Sequence, residues 1–337
     1  MDFLARFARH PVIIAELGGK YGGMEVVERS IRAAAAAGSD LIKVQTFRAD
    51  TIAAPGATFT FEDGRVVSQH EFFSAAELDL EDHERIDALC REVGVGWIST
   101  PSHPDDVALL ERFSPLAYKT GSDDLTNLPF LRHIAERGRP MIVSTGMCSL
   151  AEVAAAVETI VATGNDQLIL LHCVVSYPSR VEDANLRAIE TLRRAFGFPV
   201  GLSDHTTDEL TSVLATSLGA CVIEKHFTID YALRLPDHQA SLDPPRWERL
   251  VGRVRAVGPA LGDGVKRILG TEEKWRRAAR KSLFSARAID VGERIGADDI
   301  DIRRPADGIH PHHRDLFVGR AARTRIEAGT LLDWSMV

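Results

Sequence analysis

PVGLSDHTTDELTSVLATSLGACVIEKHFTID, residues 199–230, contains two short apolar runs that end abruptly in charge. PVGLS runs into Asp204 and His205, and CVIE carries Glu224, Lys225 and His226 on its last residues. Between them, LTSVLATSLGA spaces its apolar residues by three and four and closes near a glycine, the pattern of an amphipathic helix. Strands of a parallel sheet covered on both faces are nearly continuous apolar runs. Polar residues gathered at their C-terminal ends belong to the mouth where such folds build their sites.

The same alternation extends in both directions. β-rich runs stand at 12–17, 41–47, 95–100, 117–120, 141–145, 168–173, 199–204 and 221–227, with helix-like segments between them such as MEVVERSIRAAAAAG, LEDHERIDALCREVG and LAEVAAAVETIVATG. Eight strands alternating with helices predict an α/β fold, a (β/α)₈ TIM barrel. A doubly wound open sheet shares the alternation, but no GxGxxG follows the first strand. By this reading Glu16, Lys43, Gln45, Thr100, Lys119, Ser144, His172, Asp204, His205, Glu224, Lys225 and His226 are strand-end residues at the barrel mouth.

The rhythm breaks after about residue 262. The expected division is a barrel over 1–270, a charged linker over 271–281, and a small β-rich domain over 282–337, punctuated by VGE, ADG and EAGT turns. A domain of that size has a thin core and leans on something else for stability. Composition sets the outer bounds. The chain has 337 residues, 45% of them hydrophobic, and a formal net charge of −8, which excludes general affinity for nucleic acid or anionic membrane. Cys90, Cys148, Cys173 and Cys221 form no CxxC pair, which fits a reducing, cytoplasmic setting, and no apolar run approaches membrane-spanning length.

His205 and His226 end consecutive strands, so their imidazoles can converge beside carboxylates on a divalent metal such as Mn²⁺ or Zn²⁺. The alternative is that one of them is a core or supporting residue. Lys43, Lys119 and Lys225, with Ser122, Ser144 and Ser203, would make a pocket for a phosphorylated or carboxylated ligand, although any one lysine can equally be a structural ion-pair partner. Glu16 or Glu224 could do acid–base work or serve as partners for those lysines. The residues alone therefore lead to a metal-assisted reaction on an anionic substrate.

Further residues carry a family resemblance. AELGGKYGG, LIKVQTF, SQHEFF, ISTP, AYKTGSDDLTNLP, IVSTGM, LHCVVSYPSRVEDANL, VGLSDHT, VIEKHFTID, LPDHQASLDP, ARKSLFSARAIDVGE and IRRPADGI resemble, in order, the motifs of the sialic (nonulosonic) acid synthases of the N-acetylneuraminate synthase type. The C-terminal part resembles the SAF, or antifreeze-like, domain. The resemblance implies condensation of phosphoenolpyruvate with an N-acetylmannosamine-like aldose to a 2-keto-3-deoxy acid and phosphate. It implies that His205 and His226 hold Mn²⁺ or another divalent metal, and that Lys43, Lys119, Ser122, Ser144 and Ser203, with Thr100 nearby, surround phosphoenolpyruvate. It further implies that Gln45, Tyr177 and Asp237 contact the sugar, that Glu16 and Glu224 are the carboxylates beside the metal, and that Arg304 reaches the site of the other subunit in a domain-swapped homodimer. Three departures stand out. Lys20 and Tyr21 replace a usual Asn-His pair, Val175 stands where a polar residue is common, and Asp124 replaces a Glu near the sugar. Val175 falls near the donor, whose shell is otherwise intact, while the other changes cluster around the acceptor, so the sugar can be another aldose. Two rival readings are a pyruvate aldolase and a non-catalytic carbohydrate-binding protein.

Overall fold

Apolar runs too long to leave one face in water close on themselves in the computed structural model, which describes residues 10–60, 64–233 and 238–337. In chain order the strands are β1 Val12–Glu16, β2 Leu41–Thr46, β3 Thr58–Thr60, β4 Val66–Ser68, β5 Gly96–Pro101, β6 Tyr118–Thr120, β7 Met141–Ser144, β8 Leu168–Cys173, β9 Val200–Asp204, β10 Val222–His226, β11 Ser282–Ser285 and β12 Ile300–Arg303. Eight of them form a closed parallel barrel in the order β1-β10-β9-β8-β7-β6-β5-β2, so every run read as a strand takes part. The hairpin β3–β4 was not expected from the sequence. Its strands are three residues long and largely exposed, which leaves little apolar signal.

Alternation along each strand sorts the side chains into two cores. Val12, Ile14, Leu41, Ile98, Ala117, Ile142, Ile169, Leu171 and Val222 fill the barrel interior. Their neighbours in sequence, such as Ile13, Ile42, Val143, Leu170 and Ile223, pack outward into the layer shared with the helices. At roughly 1.5–3 kcal/mol for each fully buried aliphatic side chain, the two layers hold the strand ends rigidly. Gly201 fills an inward position where a Cβ would lie 2.5 Å from the Val222 carbonyl oxygen and 2.7 Å from Leu171, so no larger residue fits there.

The helices begin where capping chemistry says they should. Asp79 and Asp82 form a capping box on Leu80–Val93, which stops at Gly94 in the left-handed conformation. Ser149 and Glu152 do the same for Leu150–Val161. The chain divides into two compact units, one ending at Gly262 and the other Asp263–Val337. Within the second, the stretch read as a linker holds a helix, Glu273–Ala279, and β11 pairs antiparallel with β12. Its core is its own: Leu283, Ile289, Ile295, Ile300, Phe317, Ile326 and Leu332 are buried together. All four cysteines are free. Among the described residues no helix is long and apolar enough to cross a membrane.

Candidate active site at the barrel mouth

Above the apolar interior, the next inward residues are polar on nearly every strand. Register brings them together: Glu16 on β1 is the neighbour of Lys43 on β2 and of His226 on β10, Glu224 pairs with Ser203 on β9, and Gln45 pairs with Thr100 on β5. Glu16, Lys43, Lys119, Ser122, Ser144, Ser203, His205, Glu224 and His226 are all buried.

Ion pairing organises the centre. The Lys43 ammonium is paired with Glu16 Oε2 and lies 3.9 Å from Glu224 Oε1, and it donates to Thr100 Oγ1 at 3.3 Å. Burial alone would lower Lys43, but Glu16 and Glu224 outweigh it and hold the ammonium above its ordinary range. Lys119 donates to Ser144 Oγ at 2.7 Å and to its neighbour's carbonyl, that of Thr120, and lies 3.7 Å from Glu224 Oε1. Ser203 donates to the same Glu224 oxygen at 3.1 Å. Burial would raise the Glu224 carboxyl, yet Lys119 and Lys43 keep it ionised, below its ordinary value. Its other oxygen, Oε2, is buried without a hydrogen-bond partner among the described residues. Glu16 Oε1 accepts from Gln45 Nε2 and from the Gly18 amide, each at 2.9 Å.

On the rim, the rings of His205 and His226 stand 5.4 Å apart, and Tyr177 covers them with its ring 4.3 Å from His205. His205 Nδ1 lies 2.9 Å from the Val174 carbonyl, so that nitrogen carries the proton and Nε2 keeps its lone pair. Burial, with His226 alongside, pushes the His205 pKa down to about 4, so the ring is neutral near pH 7. Ser122 Oγ accepts from the Gly146 amide at 2.9 Å, and a Cβ on Gly146 would lie 2.6 Å from Val175 and 2.8 Å from that hydroxyl. Val175 therefore packs beside the pocket without adding a polar contact. Asp124 accepts from Asn127 at 3.0 Å, and burial, reinforced by Asp123, pushes its carboxyl up to about 6.

Three expected mouth residues are not there. Lys225, Asp204 and His172 sit at outward positions of their strands. Lys225 lies 3.1 Å from Asp204 Oδ2 and donates to the Thr206 carbonyl, while Thr211 and Ser212 also donate to Asp204. This is a buried strand-to-helix network, so Lys225 belongs to no anion pocket. His172 Nε2 lies 2.8 Å from the Ala184 carbonyl, and burial keeps the ring neutral. In the loop after β1, Lys20 is tied to Asp82 at 2.5 Å, and Tyr21 packs over Gly18 with its ring 5.5 Å from Phe72. Asp237 lies outside the described residues. Arg304 is exposed, just after β12 in the C-terminal unit.

One inward residue escaped the sequence reading. Cys173 ends β8 on the same face as Ile169 and Leu171, and its sulfur lies 3.9 Å from His205 Nδ1. Counting by twos along LILLHC puts Cys173 on the face opposite His172, and the register with Ser203 shows that its face is the inward one.

The profile of the NeuB family matches residues 30–266, and that of the SAF domain matches residues 280–337. The N,N'-diacetyllegionaminic acid synthase of Legionella pneumophila is 37% identical over 96% of this chain and 94% of that protein. The pseudaminic acid synthase of Campylobacter jejuni is 35% identical over 95% of this chain and 94% of that one. Among solved structures, N-acetylneuraminic acid synthetase from Leptospira borgpetersenii superposes with a TM-score of 0.71 at 29% identity, covering 79% of this chain and 90% of that one. With two profile matches spanning the barrel and the tail, and relatives that are nonulosonic acid synthases, the chain belongs to the NeuB family and carries a C-terminal SAF domain.

Proposed function

We propose that this protein is a nonulosonic acid synthase, a transferase that condenses phosphoenolpyruvate with an N-acetylmannosamine-like aldose, or a related one, and releases phosphate. The observation that carries this reading is the buried cluster of Lys43, Lys119, Ser144, Ser203 and Glu224 beneath His205 and His226. Lys119 and the hydroxyls of Ser122, Ser144 and Ser203 would receive the donor's anionic groups, and Lys43, with Thr100 beside it, would neutralise the rest. C3 of the enol attacks the aldehyde carbon, water adds to C2, and phosphate leaves by C–O cleavage. Glu16 or Glu224 would move the protons of that water. Gln45, Tyr177 and Asp237 are proposed contacts to the sugar.

A divalent ion such as Mn²⁺ belongs to the proposal. The neutral His205 ring, which keeps its Nε2 lone pair, and the buried Oε2 of Glu224, without a hydrogen-bond partner among the described residues, suit a cation. His205 and His226 would hold it, and it would supply Lewis-acid polarisation of the aldehyde oxygen. Among the described residues no group of three or more His, Cys, Asp or Glu is arranged to hold a metal, so water and substrate oxygens would complete the shell. A pyruvate aldolase would need a neutral nucleophilic lysine: two carboxylates hold Lys43 as an ammonium, whereas burial lowers Lys119, so trapping by borohydride in the presence of pyruvate would favour that rival.

The test is phosphate release from phosphoenolpyruvate with Mn²⁺ across a panel of aldoses. Bridging-¹⁸O phosphoenolpyruvate is expected to deliver its label to phosphate; label retained in the keto acid would overturn water addition at C2. No turnover with any aldose, together with sugar binding, would favour the carbohydrate-binding reading.

The proposal includes a homodimer in which Arg304 serves the sugar bound by the second copy. Arg304→Ala and Lys119→Ala are each expected to be severely impaired. After subunit exchange about half of the dimers are mixed and hold one intact site each, so roughly a quarter of the activity returns. Exchange without recovery would refute action in trans.

A further inference from the structure

We infer that Tyr21, with Phe72 and Phe59 behind it, is a specificity-determining residue for the acceptor: an apolar wall at the barrel mouth that selects an aldose ending in a methyl group over one ending in a hydroxymethyl group. The inference rests on the synthase reading and narrows the acceptor of the same site. The Tyr21 ring lies over Gly18, where a Cβ would meet its ring carbons at 3.6 and 3.7 Å. Gly18 is itself part of the mouth. Its amide donates to Glu16 Oε1 at 2.9 Å, and its carbonyl accepts from the Gln45 amide at 3.0 Å. The strand order β10, β1, β2 leads from His226 past its register partner Glu16 to Gln45. An acceptor whose aldehyde lies at His226 and which extends along that path brings its far end against Tyr21.

The wall is built in advance. Phe72, on the short helix Gln69–Ser74, stands 5.5 Å from Tyr21, and Phe59 of β3 stands 5.4 Å from Phe72. Phe73 packs against Phe59 and Phe72 and joins them to the buried Phe47. The loop that carries Tyr21 is clamped. A Cβ on Gly19 would lie 2.3 Å from the Ala76 carbonyl oxygen, and the Lys20 amide donates to that same oxygen at 3.0 Å. The Lys20 ammonium is held by Asp82, so the loop offers the acceptor a ring and not a charge. Tyr21, Phe59 and Phe72 are only half-buried, so an apolar group laid on them completes their burial. A hydroxyl pressed there gives up hydrogen bonds to water.

The experiment compares kcat/KM for N-acetylmannosamine and its 6-deoxy analogue in the full-length protein with phosphoenolpyruvate and Mn²⁺. Wild type is expected to favour the 6-deoxy sugar about tenfold. Tyr21→Ala should bring the ratio within about twofold of unity while the KM for phosphoenolpyruvate stays within about twofold of wild type. Tyr21→Phe, which keeps the ring and removes its hydroxyl, should keep the preference. Phe72→Ala removes the support behind the ring and should lower the ratio about threefold, the scale of one aromatic pair; it carries the test if Tyr21→Ala fails to fold. Wild type that accepts N-acetylmannosamine equally well or better, or a loss in Tyr21→Ala that is equal for the two sugars, overturns the inference. Calorimetric binding of phosphoenolpyruvate with turnover of neither sugar overturns it too. Protein that does not bind phosphoenolpyruvate at all overturns the synthase reading instead.

Discussion

Protein treated with chelator is expected to release phosphate from phosphoenolpyruvate at least about 10³-fold more slowly, while keeping its circular dichroism and its melting transition; added Mn²⁺ restores the rate. The magnitude follows from the several kcal/mol that a Lewis-acid ion contributes to a developing charge. The fold survives because His205 and His226 stand above the interior layer of Val12, Ile14, Leu41, Ile98 and Leu171, which packs without them. His205→Ala should reproduce the loss and weaken Mn²⁺ binding in a titration. Its structural cost is small, about 1 kcal/mol for the hydrogen bond from Nδ1 to Val174. Full activity in excess chelator would rule out the metal, and unfolding on chelation would make its role structural.

Two buried lysines should separate in opposite senses. Lys225→Met leaves Asp204 buried with only hydroxyl and amide donors from Thr206, Thr211 and Ser212. Removing one partner of such a pair costs about 3–5 kcal/mol, which lowers the melting temperature by roughly 10 °C. The folded fraction at low temperature should keep its KM for phosphoenolpyruvate. Adding Asp204→Asn should return much of the stability, because no charge is then left unpaired. Lys119→Met removes the ammonium between Ser144 and Glu224 on the inward face. There the expected loss is about 10³-fold in kcat/KM for phosphoenolpyruvate, since a charged donor aimed at the reacting anion is gone. Equal stability loss with equal KM effects in the two variants would contradict the assignment of inward and outward roles.

The barrel was legible because its strands are wrapped in helices. VIIAE, LIKVQT, MIVS and LILLHC are apolar almost throughout, and such runs between amphipathic segments leave few architectures open. Glu16, Lys43, Lys119, Ser144, Ser203, His205, Glu224 and His226 were legible for a related reason: charge and hydroxyls at the ends of such runs are too costly to bury without purpose.

The same continuity hid which way each residue faces. A half-exposed strand announces its inner face by alternation, but a strand apolar on both sides carries no period-two signal. His172, Asp204 and Lys225 therefore read as mouth residues, whereas the register turns them outward to Ala184, Thr206 and the helix that holds Thr211 and Ser212. Cys173 passed for one more apolar residue, although it ends on the inner face beside Ser203 and His205. The residue types along the chain determined the barrel, its polar mouth and the family to which it belongs. Only closure of the sheet decided which of two adjacent polar residues enters the pocket, because a shift of one residue exchanges the two faces and changes nothing in the hydrophobicity of the run.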